Sequence, residues 1–202
     1  MRIVKQLAAV LSLLFSITAF AADPQVEIKT NLGNILLELY PDKAPKTVEN
    51  FLQYVKEGHY KSTVFHRVIP RFMIQGGGFD KAFRQKSTRP PIGNEAANGL
   101  KNNIGTIAMA RTSDPHSASA QFFINVADNA FLNYSAPTGH GFGYTVFGKV
   151  TGGMEIVNKI AATPTGAGGP FPGDVPREAV IIEEIRLIST AEPAPATGQP
   201  AK

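Results

Sequence analysis

The chain has 202 residues, 43% of them hydrophobic and 18% charged, with a formal net charge of +4 and no cysteine. That length suits one domain with a core of its own, and the composition excludes wholesale disorder. Without cysteine there is no thiol catalysis, thiolate metal site or disulfide framework.

The first 21 residues read as a cleaved signal peptide. Arg2 and Lys5 give a short basic start, an apolar run follows, and Ala19-Phe20-Ala21 fits small-x-small cleavage. The run between Lys5 and Asp23 is short for a membrane anchor of about 20 residues. Removing Arg2 and Lys5 lowers the charge from +4 to +2, and the remaining basic residues are scattered. Nucleic acid is therefore not an expected partner, and no stable membrane insertion is expected after cleavage. Export without cysteine points to a bacterial periplasm.

Two apolar runs, Val26–Thr30 and Ile35–Tyr40, flank Asn31-Leu32-Gly33-Asn34 and predict a hairpin. Pro41 to Pro45 break the strand, and Val48, Phe51, Leu52 and Val55 then recur at helical spacing up to Gly58. Val64–Val68 and Phe72–Gln75 read as strands around Pro70, and Gly76-Gly77-Gly78 permits a sharp bend or a close approach. Residues 79–103 form a long polar segment, a length that is commonly functional.

Gly105–Ala110 and Gln121–Val126 read as strands joined by a small-residue loop, and Thr145–Val150 as another. Met154–Ala161 has helical spacing, Thr163–Pro176 reads as a Gly/Pro loop, and Val180–Ile188 as a final strand. Residues 189–202, rich in Pro and Ala, read as a disordered tail. One domain over 22–188 results. Many short strands with two helices fit a closed antiparallel barrel or a β-sandwich, and periodicity alone does not decide between them.

The candidate chemistries thin out quickly. His59, His66, His116 and His140 lie far apart without a metal-ligand spacing, and His66, inside a strand, reads as a hydrogen-bonded structural histidine. Asp114, His116 and Ser117 sit together in a loop without a nucleophile elbow. Gly139-His140-Gly141-Phe142-Gly143 lacks the register and lysine of a phosphate loop and reads as a flexible loop. No metal or cofactor is expected. What remains is a set of large apolar residues, Phe72, Met73, Phe122, Phe123 and Phe131, with Arg67, Gln75 and Gln121 among them. Arginine beside an apolar pocket suits a ligand that carries carbonyls and an amide nitrogen.

The segments FHRVIPRFMIQGG at 65–77, GTIAMAR at 105–111, SAQFFI at 119–124, FL at 131–132 and VFGKV at 146–150 resemble the cyclophilins, peptidyl-prolyl cis-trans isomerases, and PKTVENF at 45–51 resembles their first helix. The resemblance spans about residues 26–188 and is closest to the bacterial periplasmic members. It implies a mainly β fold, a closed eight-stranded antiparallel barrel capped by two α-helices. It implies that Arg67 is catalytic and that Phe72, Met73, Phe123 and Leu132 form a proline pocket. Gln75 and Gln121 would lie near the substrate backbone, and Ala110 and Arg111 on the strand that carries the peptide. Arg111 stands where the family usually has asparagine, Phe131 where many members have tryptophan, and Tyr144 where histidine is common. Both Phe131 and Tyr144 would still touch substrate.

The implied substrates are proline-containing unfolded or flexible polypeptides, turned over by a monomer. Cyclosporin binding should be weak, because Phe131 lacks the indole N–H donor. A peptide-binding module or holding chaperone with incidental isomerase activity is the alternative reading of the same residues.

Overall fold

The computed structural model describes residues 23–189. The expected signal peptide and, apart from Ser189, the expected tail lie outside the described residues. In chain order the elements are β1 (Gln25–Thr30), β2 (Gly33–Leu39), α1 (Pro45–Lys56), β3 (Thr63–Ile69), β4 (Met73–Asp80), β5 (Thr106–Met109), β6 (Phe122–Asn125), β7 (Val146–Gly152), α2 (Met154–Ala161), β8 (Thr165–Gly168), β9 (Phe171–Pro176) and β10 (Ile181–Ser189). Eight strands close a barrel in the order β1-β10-β3-β4-β6-β5-β7-β2, every pair antiparallel. Closure leaves no edge to protect, and it settles barrel over sandwich.

Alternation fills the barrel. Val26 and Ile28 from β1 and Ile35, Leu37 and Leu39 from β2 are fully buried, as period-two patterning requires. The first hairpin is tighter than expected: only Asn31 and Leu32 lie between the strands, and Thr30 Oγ1 donates to the Gly33 carbonyl at 2.7 Å. Helix α1 closes one side of the core through Val48, Phe51 and Tyr54. Leu52 and Val55, predicted on its buried face, are only partly covered. Its N-terminal turn is capped from far away in sequence: Glu95 accepts from the backbone N–H groups of Lys46 (3.1 Å) and Thr47 (2.8 Å) and from the Thr47 hydroxyl (2.7 Å). Those are groups that a helix start leaves unpaired.

Three expectations change. Strand β4 does not stop at Gln75 but runs through the three glycines, all buried. Their missing side chains serve close packing rather than a turn. A Cβ on Gly77 (φ +86°) would sit 2.9 Å from a Tyr60 ring carbon, and one on Gly78 would sit 2.6 Å from the Gln121 side chain. The 163–176 segment is not a plain loop, since β8 and β9 form a hairpin outside the barrel. Its Gly- and Pro-rich sequence carries no alternation to announce it. Ser189 ends β10 rather than opening the tail.

The hairpin is fastened by aromatic packing. Phe171 of β9 meets Phe79 edge-on at 5.1 Å and lies 5.3 Å from the ring of His66, which itself sits 4.7 Å from Phe79. His66 is 3% exposed, and its Nδ1 has no hydrogen-bond partner. The expectation of a hydrogen-bonded histidine therefore fails at that nitrogen: the ring is held by aromatic contact. Burial pushes its pKa down to about 4.

Candidate active site

The site stands on the outer face of the sheet, and a bulge puts its arginine there. In the pairing of β3 with β4, Phe65 faces Gly76 and Arg67 faces Gln75, so His66 is an extra residue in β3. Strict alternation would send Arg67 to the same side as Phe65, whose side chain is in the barrel core. With the bulge, Val68 takes the core side and the Arg67 side chain is left 45% exposed.

Beside it lies a second apolar cluster, separate from the barrel core. Met73, Ala108, Phe123, Leu132 and Val146 form it, and Phe72, Ala110 and Tyr144 pack against it. Strand β6 divides its residues by alternation: Phe122 and Ile124 point into the barrel, and Phe123 joins the outer cluster. A cavity of about 90 Å³ opens over this cluster. Arg67, Gln75 and Arg111 supply its polar side, and Phe72, Met73, Ala110, Phe123, Leu132 and Tyr144 its apolar wall. Nine of the eleven predicted site residues thus meet at one cavity.

Gln121 lines an adjoining cavity of about 300 Å³, together with Gln75, Ala110 and Arg111. Its Oε1 accepts from Gln75 Nε2 at 2.9 Å, so the two glutamines form one polar unit between the cavities. Phe131 lies outside both walls. It is 73% exposed, and its ring stacks on Phe72 at 5.6 Å.

Ala110 and Arg111 differ from the expectation in place. Strand β5 ends at Met109, and both residues follow it, although the Ala110 N–H still donates to the Gln121 carbonyl at 3.0 Å. The Arg111 side chain makes more contacts than a main-chain role requires. Nε donates to the Gly143 carbonyl (2.8 Å), one terminal nitrogen to Thr112 O (2.9 Å) and the other to Gly139 O (3.1 Å). The 139–143 segment is therefore tied down at both ends, not a free loop, and it offers carbonyls rather than an anion cradle. Asp114, His116 and Ser117 form a turn and no triad: Ser117 Oγ donates to the Asp114 carbonyl (2.7 Å), and His116 Nδ1 accepts from the Asn94 backbone (3.1 Å). Among the described residues no group of three or more His, Asp or Glu side chains could hold a metal ion.

Sequence reasoning missed two features. Behind the apolar wall, Asn102, Asn125 and Asn129 are buried and joined by side-chain bonds: Asn125 Nδ2 donates to Asn102 Oδ1 (3.2 Å) and Asn129 Nδ2 to Asn125 Oδ1 (2.7 Å). Asn129 also donates to the Phe72 carbonyl (2.9 Å), and Asn102 to those of Leu132 (3.1 Å) and Tyr144 (3.3 Å). Three walls of the cavity thus hang on one buried amide chain. The only hint in sequence is that each of these asparagines stands near apolar residues. The second feature is Asp174 of β9, whose Oδ2 lies 3.7 Å from Arg67 Nε. No local signal links residues so far apart in the chain.

The fold and the site together are a closed antiparallel barrel carrying a small apolar cavity bordered by two guanidinium groups and one amide. Residues 25–187 match the family model described as cyclophilin type peptidyl-prolyl cis-trans isomerase/CLD, and the chain belongs to that family. It is similar to peptidyl-prolyl cis-trans isomerase cyp18 of Streptomyces antibioticus, 57% identical over 81% of this chain and 98% of that one. Peptidyl-prolyl cis-trans isomerase B of Escherichia coli K12 is also 57% identical, over 80% and 98%. An Acinetobacter baylyi peptidyl-prolyl cis-trans isomerase is 53% identical over 93% and 99%. A crystal structure of a Cryptosporidium parvum cyclophilin type peptidyl-prolyl cis-trans isomerase, in the presence of the dipeptide Ala-Pro, superposes with a TM-score of 0.66 at 30% identity, covering 82% of this chain and 99% of that one. The chain is accordingly a cyclophilin-type peptidyl-prolyl cis-trans isomerase acting on proline-containing peptides.

Proposed function

We propose that rotation of the X–Pro bond takes place over the 90 Å³ cavity, with Arg67 as the catalytic residue. Phe72, Met73, Phe123, Leu132 and Tyr144 hold the prolyl ring. Gln75, Gln121, Ala110 and Arg111 hold the flanking backbone, and Phe131 covers Phe72 from the rim. The observation that carries this reading is the place of Arg67: opposite Gln75 on the sheet, half-exposed, and opening on the apolar cavity.

The chemistry asks for nothing more reactive. An unaided X–Pro bond isomerises in tens to hundreds of seconds over a barrier of about 20 kcal/mol, mostly lost amide resonance. Reaching milliseconds means lowering it by roughly 6–7 kcal/mol. As the bond twists, the prolyl nitrogen gains a lone pair, and a guanidinium N–H donates to it. That bond exists only near the transition state, as catalysis requires, and a charge-assisted hydrogen bond contributes about 1.5–3 kcal/mol net. The remainder comes from a gripped ring and fixed amides that hold the flanking chain. Arg67→Ala should therefore lower kcat on an X–Pro peptide about 10- to 150-fold with the fold intact. Near-normal turnover in that variant would sink the assignment.

The setting proposed is the periplasm, reached through the signal peptide of residues 1–21, with exported polypeptides as clients and a monomer as the working unit. Fractionation of cells expressing the full chain tests it: recovery with the cytoplasm would overturn it. Cyclosporin should bind weakly, since Phe131 offers no N–H donor, and Phe131→Trp should tighten it. A holding chaperone is the second reading, favoured by the exposed Phe131 ring on the rim. In a proline-limited refolding assay, acceleration by wild type alone supports the isomerase role, and equal rescue by Arg67→Ala supports the chaperone.

A further inference from the structure

We propose that Asp174 is a positioning residue for Arg67, an inference that rests on Arg67 being catalytic. An arginine side chain on a sheet surface has several rotatable bonds and spreads over many rotamers unless something holds it. Across β4, Arg67 faces Gln75, which is uncharged. The carboxylate arrives instead from outside the barrel, on β9, where Asp174 Oδ2 lies 3.7 Å from Arg67 Nε.

Three observations make this contact a built one. The hairpin that carries Asp174 is anchored on both sides of it, by Phe171 packed on His66 and Phe79 and by Val175, which is buried. Asp174 holds a backbone φ of +63°, the left-handed region where glycine is the ordinary residue. Aspartate adopts that region more readily than most residues, and the conformation sets the direction in which its side chain leaves β9. The carboxylate also approaches the guanidinium from its Nε edge, so the terminal nitrogens stay available to the cavity that Arg67 lines. At 3.7 Å the contact is an ion pair and not a hydrogen bond, so Asp174 draws the guanidinium toward β9 by charge without consuming the donors that a twisting prolyl nitrogen needs. Its own side chain is 47% exposed, so the pair adds little to stability. Its effect falls on orientation.

The experiment measures kcat, KM and Tm for Asp174→Asn and Asp174→Gly with an uncharged X–Pro peptide, at low salt and near 1 M KCl. Asparagine keeps the shape and tolerates the backbone, and glycine, which takes a left-handed φ without steric cost, guards against a variant that fails to fold. Both should lose about 3- to 10-fold in kcat through misplacement of the fork, with KM nearly unchanged and Tm equal to or above wild type. Because screening shortens to about 3 Å at 1 M salt, the wild-type kcat should fall toward that of Asp174→Asn there, with no matching fall in the variant. A kcat equal to or above wild type, or a loss that follows a lowered Tm and ignores salt, overturns the proposal. If Arg67→Ala keeps normal turnover, the reading of Arg67 fails first and takes this one with it. If Arg67→Ala loses turnover while Asp174→Asn keeps it, only the role of Asp174 falls.

Discussion

The guanidinium of Arg111 lies 4.6 Å above the centre of the Tyr144 ring, and the ring of Tyr144 meets Phe123 edge-on at 5.7 Å. One side chain thereby stacks on the apolar wall while hydrogen-bonding both ends of the 139–143 segment. Arg111→Asn removes the stack and the bonds but leaves the backbone at Ala110, whose N–H bond to Gln121 it does not touch. Activity should survive within about threefold, and KM should rise more than kcat falls, as for lost uniform binding. The segment itself should loosen, seen as faster limited proteolysis within 134–143. Unchanged cleavage would show that the arginine does not hold it.

His66 makes stability depend on pH. Its folded pKa is held at about 4 by burial, below the ordinary value of 6.5. The unfolded chain therefore binds the proton first, and stability is present above pH 6.5 and lost as pH falls through 6.5 toward 4. The loss from this group should reach about 2–3 kcal/mol near pH 4.5. Urea unfolding of wild type and His66→Leu at pH 7 and pH 4.5 isolates it, because the carboxylates are common to both chains. The leucine variant should show a pH slope smaller by that amount; equal slopes would refute the assignment.

Glu95 is the cap of α1, although it lies in the 79–103 segment. Glu95→Ala strands the Thr47 hydroxyl, which is fully buried, and the first N–H groups of the helix. A loss of about 1–2 kcal/mol should follow, measurable as a Tm lower by a few degrees.

Gly77 admits no side chain. Its φ of +86° and the Tyr60 and Phe122 rings within 2.9 and 3.1 Å of any added Cβ compound one another. Gly77→Ala should cost roughly 2–4 kcal/mol from overpacking and backbone strain, read as a lower urea midpoint with an unchanged slope. A cost below about 0.5 kcal/mol would mean that β4 relaxes there.

Much of this protein could be read without coordinates. Val26–Thr30 and Ile35–Tyr40 stand out as apolar-rich runs around a turn because each strand buries one face, and such runs are visible in one dimension. The resemblance names eleven cleft residues, and nine of them meet at one cavity. The 163–176 segment reads as a loop in sequence because glycine and proline obscure alternation, and the β4 glycines leave a bend and a close approach both open, because a glycine makes room without saying for what.

What the linear order of residues determined by itself was the class of fold, the identity of the cleft residues and the isomerase chemistry that they resemble. Which way Arg67 points was decided only in three dimensions. An extra residue at His66 shifts the β3 pattern by one position and turns the arginine from the core to the cleft. The carboxylate beside it comes from β9, more than a hundred residues further along the chain. Alternation is a local property that a sequence carries; a change of register, and a contact across a folded surface, exist only once the partner strand is in place.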